Sequence, residues 1–243
     1  MNSLFLLRPV FLATAVLVTL MTSACVHHSW SPSGAVKSTA VEGENDPRRA
    51  TPDAALAAMK AGNARFLDGD AKHHSDALQR VEATAKSQYP FATVIGCADS
   101  RTPPEVIFDA GIGDLFVCRV AGVASSVNDE ASLEYGSAVL GVPVIVVLGH
   151  TGCGAIKAAI ANKPLPGSLP HLVAQIRPAV KRAERTQPHA DGSALLDAAT
   201  REQVNGEIRR LESSPVLGKL LHEGKLKIVG AIYHVGTGRV TWL

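Results

Sequence analysis

The sequence predicts an α/β fold: a mainly parallel central β-sheet flanked by helices. Three observations carry this. Strand-like and helical segments alternate from Pro52 to the C-terminus. The strand-like segments are apolar throughout rather than at every second residue, the pattern of strands buried on both faces. The polar residues richest in chemistry, 97–101 and 149–154, fall where two of these strands end, and open parallel sheets bind their ligands there.

Each element has its own local reason. Residues 52–67 place Leu56, Met59 and Phe66 at helical spacing, and Pro52 suits a first helical turn. Residues 91–96 form a short apolar run that stops at Cys97, and 114–120 form a second. A helix follows over 128–140, with Asn128 as its N-cap and Gly141 just past its end. Residues 142–148 are nearly all apolar and β-branched, a buried strand. From Gly152 the chain turns into another helix, 155–161. A loop over 164–170 leads to two long helical stretches, 173–185 and 194–211. Residues 226–233 read as a last buried strand. Gly236, Thr237 and Gly238 then turn the chain into a short terminal strand, 239–242. No internal repeat and no second domain is evident.

Composition narrows the function. With 46% hydrophobic and 19% charged residues the chain can bury a real core. With 5% aromatic residues and a net charge of +2 it offers neither stacking residues nor a basic stripe, so no nucleic-acid partner is expected.

The first 24 residues read as an export signal: Arg8 as a positive flank, an apolar run over 10–20, then Thr22, Ser23 and Ala24. The run is short for a membrane span, which needs about 20 residues. Its removal takes away Arg8 and no acidic residue, leaving +1. Cys25 follows the small residues and resembles the lipidated cysteine of bacterial lipoproteins, although Thr22 stands where leucine is usual. The expected location is therefore periplasmic, either soluble or attached to a membrane through Cys25. Residues 25–50, rich in Ser, Gly, Pro and charge, read as a flexible tether before a domain over 51–243. Cys118 reads as a buried free thiol. His27-His28 and His73-His74 read as solvated pairs.

Cys97, His150 and Cys153 suit zinc, whose catalytic sites take three protein ligands and keep a fourth position open. Glycines 149, 152 and 154 let the backbone fold tightly enough for His150 and Cys153 to face one ion. Asp99 has two possible jobs: filling the fourth position, or pairing with Arg101 and orienting the water that does. A phosphate-binding loop is the rival reading of the Gly-rich turn, but the lysine and hydroxyl such a loop needs are missing.

Cys-x-Asp-x-Arg at 97–101 and His-x-x-Cys at 150–153 after an apolar strand resemble the β-class carbonic anhydrases. Residues 62–66 resemble that family's N-terminal helix and 131–135 the helix before its central strand; the likeness runs from about Asp53 to Trp242. It implies a zinc enzyme that interconverts carbon dioxide and bicarbonate, with Cys97, His150 and Cys153 as zinc ligands. Asp99 and Arg101 would be a catalytic dyad orienting zinc-bound hydroxide, Asp99 reaching the metal only in a closed state. Gln88 and the Gly154 N–H would bind substrate oxygen, and Phe116 and Tyr135 would wall the carbon dioxide pocket. It also implies a homodimer or higher homo-oligomer with active sites at the interface.

Two departures stand out. Many relatives have Asn where this chain has Val120, and often again at Val123. Relatives with a regulatory bicarbonate site have Trp where this chain has Val94, so the non-allosteric subtype is expected despite Arg119 and Tyr233. Two other functions fit parts of the pattern: hydrolysis of carbon disulfide or carbonyl sulfide on the same scaffold, and a non-catalytic zinc-binding lipoprotein. Gln88 and the complete dyad favour carbon dioxide.

Overall fold

The computed structural model describes residues 43–72 and 77–243. The expected export segment, Cys25, His27-His28 and His73-His74 lie outside the described residues. Five strands form one sheet in the order β2-β1-β3-β4-β5: β1 (Ala92–Gly96), β2 (Leu115–Arg119), β3 (Val144–His150), β4 (Lys227–Tyr233) and β5 (Val240–Trp242). The first four are parallel, and β5 runs antiparallel to β4 at the edge. The expected sheet is present, strand for strand.

Every residue of β1 and β3 is buried, as their unbroken apolar runs require. The two-residue period of a strand divides these side chains between two layers. Ile95, Ile145 and Val147 pack with Val173, Ile176, Ala199 and Val204 on one face. Val94, Val144, Val146 and Leu148 pack with Ala55, Met59, Ile107 and Phe108 on the other. The first face is covered by α5 (Gly154–Ala161), α6 (Leu169–Thr186) and α7 (Gly192–Glu212). The second is covered by α1 (Pro52–Asp68) and α3 (Pro104–Ile107). Two shorter helices, α2 (Ala77–Thr84) and α8 (Pro215–His222), and α4 (Val127–Glu134) complete the set. The patterning of the sequence does not mark α2, α3 or α8.

Helix ends follow local chemistry. Thr51 caps α1 by accepting the Ala54 N–H, and Pro52 occupies its first turn. The cap of α4 is Ser126 rather than the expected Asn128. The Ser126 N–H and hydroxyl both donate to the Asp129 carboxylate, so the acidic residue three positions on decides where the helix starts. After Glu134 the helix widens into a π-turn, Tyr135–Val139, before Gly141 (φ +69°) ends it. A Cβ at Gly136 in this turn would come within 2.9 Å of Thr93 Oγ1, which shows how closely the turn crosses the sheet.

The expected tether over 25–50 needs correction at its end. Residues 43–50 are described, and Asp46 is buried. Arg48 lies over the Phe91 ring and pairs with Asp46 and with buried Asp114 at 2.8 Å. This arm belongs to the folded body because Asp114 holds it, and it covers polar residues that composition alone reads as linker.

Candidate metal centre

The site stands at the C-terminal ends of β1 and β3. The register pairs Gly96 with Leu148, so Cys97, one residue beyond β1, comes out beside the end of β3, where His150 is the last residue. Thr151 and Gly152 then turn the chain, Gly152 at φ +73°, and Cys153 caps α5. The turn is tied down: the Thr151 N–H donates to the Tyr233 carbonyl, and its hydroxyl accepts the Val235 N–H. Gly149 has a different reason for being glycine, because a Cβ there would meet Val204 at 2.7 Å.

The ligand atoms of Cys97, His150 and Cys153 all lie within 4.8 Å of one another, and all three residues are buried. Both thiols are free. His150 Nδ1 lies 3.0 Å from the Thr151 carbonyl, which leaves Nε2 buried without a partner. An orphaned buried nitrogen is a costly feature that a metal removes. Tetrahedral zinc with bonds of about 2.0–2.3 Å holds its ligand atoms a little under ~4 Å apart, so these donors need close in only slightly. The residues fit zinc.

Charge is distributed to suit a cation. Cys97 is driven down to about 4, first by the hydrogen bond from the Cys153 thiol and further by His150 and by the Asp99 and Gly122 backbone N–H groups. The Gly122 N–H lies 3.3 Å from its sulfur. Cys153 is pushed up, first by the same bond to Cys97 and by burial. The shared hydrogen bond favours one thiolate in the pair, and burial disfavours a second.

Asp99 lies at the rim, its Oδ2 3.9 Å from His150 Nε2. Arg101 grips both of its oxygens, Nε to Oδ1 at 2.9 Å and Nη2 to Oδ2 at 2.7 Å, while the Arg101 N–H adds a third bond. These bonds hold the Asp99 carboxyl far below the usual range. Of its two expected jobs, Asp99 is found pairing with Arg101.

The structure also brings in a residue the sequence reading had placed elsewhere. Arg119, at the end of β2, donates to the carbonyls of both Cys97 and Asp99 and so clamps the loop that carries Cys97 and the Asp99–Arg101 pair. The signal was available: a charged residue ends an apolar strand next to the ligand strand. The remaining expected residues are placed variously. Gly154 opens α5 beside Cys153, where its N–H has no acceptor within the helix. Gln88 is exposed between α2 and β1. Phe116 and Tyr135 pack together, ring centroids 6.1 Å apart, but Phe116 sits three residues before Arg119 on β2, roughly 10 Å along the strand. Within one chain they are not brought to Cys97, His150 and Cys153. Cys118 is half-buried rather than buried.

Comparison with known proteins decides the family. The model of the carbonic anhydrase family matches residues 92–240, which contain all three candidate ligands and the dyad. The chain belongs to the carbonic anhydrase family.

Its relatives place it in the β class. It is 38% identical to a carbonic anhydrase of Mycolicibacterium smegmatis over 78% of this chain and 92% of that one. It is 38% identical to carbonic anhydrase 2 of Mycobacterium tuberculosis over 77% and 91%. Among solved structures, the Coccomyxa β-carbonic anhydrase in complex with acetazolamide superposes with a TM-score of 0.64 at 27% identity, covering 77% and 86%. A tetrameric β-carbonic anhydrase of Sordaria macrospora gives 0.63 at 25% identity, covering 78% and 94%. The protein is a β-class carbonic anhydrase, an enzyme class that uses zinc, and its Cys-His-Cys cluster stands ready for the metal.

Proposed function

We propose that Cys97, His150 and Cys153 hold one catalytic zinc, beside which Asp99 and Arg101 direct the hydration of carbon dioxide to bicarbonate. The observation that supports this best is the buried, unpartnered His150 Nε2 facing two thiols, 3.9 Å from a carboxylate that Arg101 keeps ionised. Zinc, when bound, supplies the Lewis acidity that makes water a nucleophile near neutral pH. Asp99, kept ionised by Arg101, would only accept a hydrogen bond: it would hold the hydrogen of the attacking water aside and leave the oxygen lone pair facing carbon dioxide, with the released proton passing to buffer. Arg119 keeps the loop carrying Asp99 in place through its two carbonyls. The Gly154 N–H, at the positive end of α5, faces charge developing on the substrate oxygen.

Gln88, Phe116 and Tyr135 are distant from the donors within one chain, so their substrate-binding role belongs to a homodimer in which the interface completes each pocket. The reading extends to the N-terminus: residues 1–24 direct export, and the mature chain is periplasmic, with Cys25 as the point of lipid attachment if it is acylated. The mass of the mature N-terminal peptide checks this; retention of residues 1–24 in the mature protein would contradict export with cleavage.

The zinc assignment is tested by metal analysis of purified protein. The wild type is expected to carry close to one zinc per chain, and Cys153→Ser and His150→Ala are each expected to lose it. Full zinc occupancy in both variants would mean that the ligand set is wrong.

A further inference from the structure

Residues 120–126 connect β2 to α4 and pass beside the metal donors. Gly122 lies in the left-handed region (φ +68°), and it is this residue that gives its N–H to the Cys97 sulfur. A Cβ there would meet Ala155 Cβ at 2.9 Å as well as the end of the Ile176 side chain, so the turn suits glycine. The next residue, Val123, is also left-handed (φ +55°) and is buried. A β-branched side chain is a poor occupant of that region, and such a conformation persists only when its surroundings enforce it. Asn tolerates it better.

The enforcing groups come from α7, some eighty residues away in sequence. Gln203 Nε2 donates to the Val123 carbonyl at 3.3 Å and to Glu207 Oε1 at 3.2 Å. Glu207 Oε2 accepts the Ser125 hydroxyl. Arg210 donates to the Ser125 carbonyl and hydroxyl, and at 2.9 Å to Glu130 on α4. Ser125, Gln203 and Glu207 are all buried, and burial raises the Glu207 carboxyl above its ordinary range. A carboxyl buried there is expensive for the fold, yet all three of its polar partners, Ser125, Gln203 and Arg210, belong to or bind the 120–126 turn. Thr200, Gln203 and Val204 of α7 also line the small cavity behind His150 and Cys153, so the network is close to the metal donors without touching substrate.

We infer that Gln203, Glu207 and Arg210 are positioning residues for the metal centre: they hold Gly122 and Val123 in their left-handed turn and thereby keep the Gly122 N–H on the Cys97 sulfur. Without them Val123 relaxes toward negative φ, the Gly122 peptide rotates away, and Cys97 loses a donor to its thiolate. The inference rests on the zinc reading above.

The test is zinc affinity, measured by competition between full-length protein and a chelator, with the thiolate-to-metal absorption of the cobalt-substituted protein as a second readout. Glu207→Ala is expected to weaken zinc binding by about tenfold, the worth of one hydrogen bond to a charged group, and to shift the cobalt spectrum. Gln203→Ala is expected to do the same to a smaller degree. Val123→Gly, placed in either background, is expected to restore most of the loss, because glycine adopts the left-handed turn unaided. A general loss of packing would not be repaired by removing a buried side chain, so recovery separates positioning from mere stability. If Glu207→Ala does not fold, Gln203→Ala with and without Val123→Gly carries the same comparison. Folded variants with wild-type zinc affinity and spectrum, or a loss that Val123→Gly leaves unchanged, would overturn the inference while the wild type still binds zinc. A wild type that takes up no zinc would overturn the reading of the site and this inference with it.

Discussion

Asp99 and Arg101 are two residues apart in sequence, and the spacing lets one guanidinium close on one carboxylate while its own backbone N–H adds a third bond. An exposed pair of this kind is ordinarily worth under about 1 kcal/mol. Here its value lies in direction, since it leaves an ionised acceptor 3.9 Å from His150 Nε2. Asp99→Asn keeps the shape but offers a donor where an acceptor is needed. It is expected to retain zinc, because three ligands remain, while hydration falls by about 10²–10³-fold, the range for loss of one preorganised hydrogen-bonding partner of the reacting groups. Stopped-flow hydration alongside metal analysis checks this; wild-type turnover in Asp99→Asn would remove Asp99 from the mechanism. The Cys97, His150 and Cys153 cluster and the Asp99–Arg101 pair were readable in the sequence because each motif is a few residues long. Arg119 was seen but given another role, since its two carbonyl acceptors become neighbours only when β2 pairs with β1.

At the scale of elements, apolar runs identified the strands, and periodicity identified the long helices, because both signals are local. Helix starts were less legible: Ser126 and Asn128 are both good cap residues, and the Asp129 carboxylate decided between them. Asn63 shows what one buried residue can do between elements. From α1 its amide donates to the Ile107 and Gly238 carbonyls, and its oxygen accepts the Val240 N–H of β5. Three backbone groups from distant segments are satisfied by a single side chain that is itself buried. Asn63→Ala is expected to destabilise the protein by about 3 kcal/mol, given ~1–3 kcal/mol for each buried group left unpaired. Chemical denaturation measures it, and a change under about 1 kcal/mol would show that water replaces the side chain.

For the whole molecule, the features that remain unsatisfied in one chain point outward. Tyr135 is 47% exposed, Val139 65% and Val127 77%, on α4 and the π-turn that follows it. Exposed large apolar side chains gathered on neighbouring elements suit an interaction surface, and the second copy proposed above would be its occupant. Tyr135→Arg combined with Val139→Glu is expected to halve the mass measured by sedimentation and to lower carbon dioxide hydration while zinc is retained. An unchanged mass would place the interface elsewhere.

By itself the sequence determined the class of fold, the strands, the cluster of Cys97, His150 and Cys153 and the Asp99–Arg101 pair. Each is written in residues close together along the chain, where apolar runs and short motifs act on their immediate neighbours. Only the tertiary structure decided which distant groups support them. Asp114 draws in the arm at Asp46 and Arg48, Asn63 ties α1 to β5, and α7 reaches back to hold the turn beside Cys97. These pairings join residues 66 to 177 positions apart. No local pattern encodes them, because they arise only when parallel strands, joined by crossover helices, bring remote segments into contact.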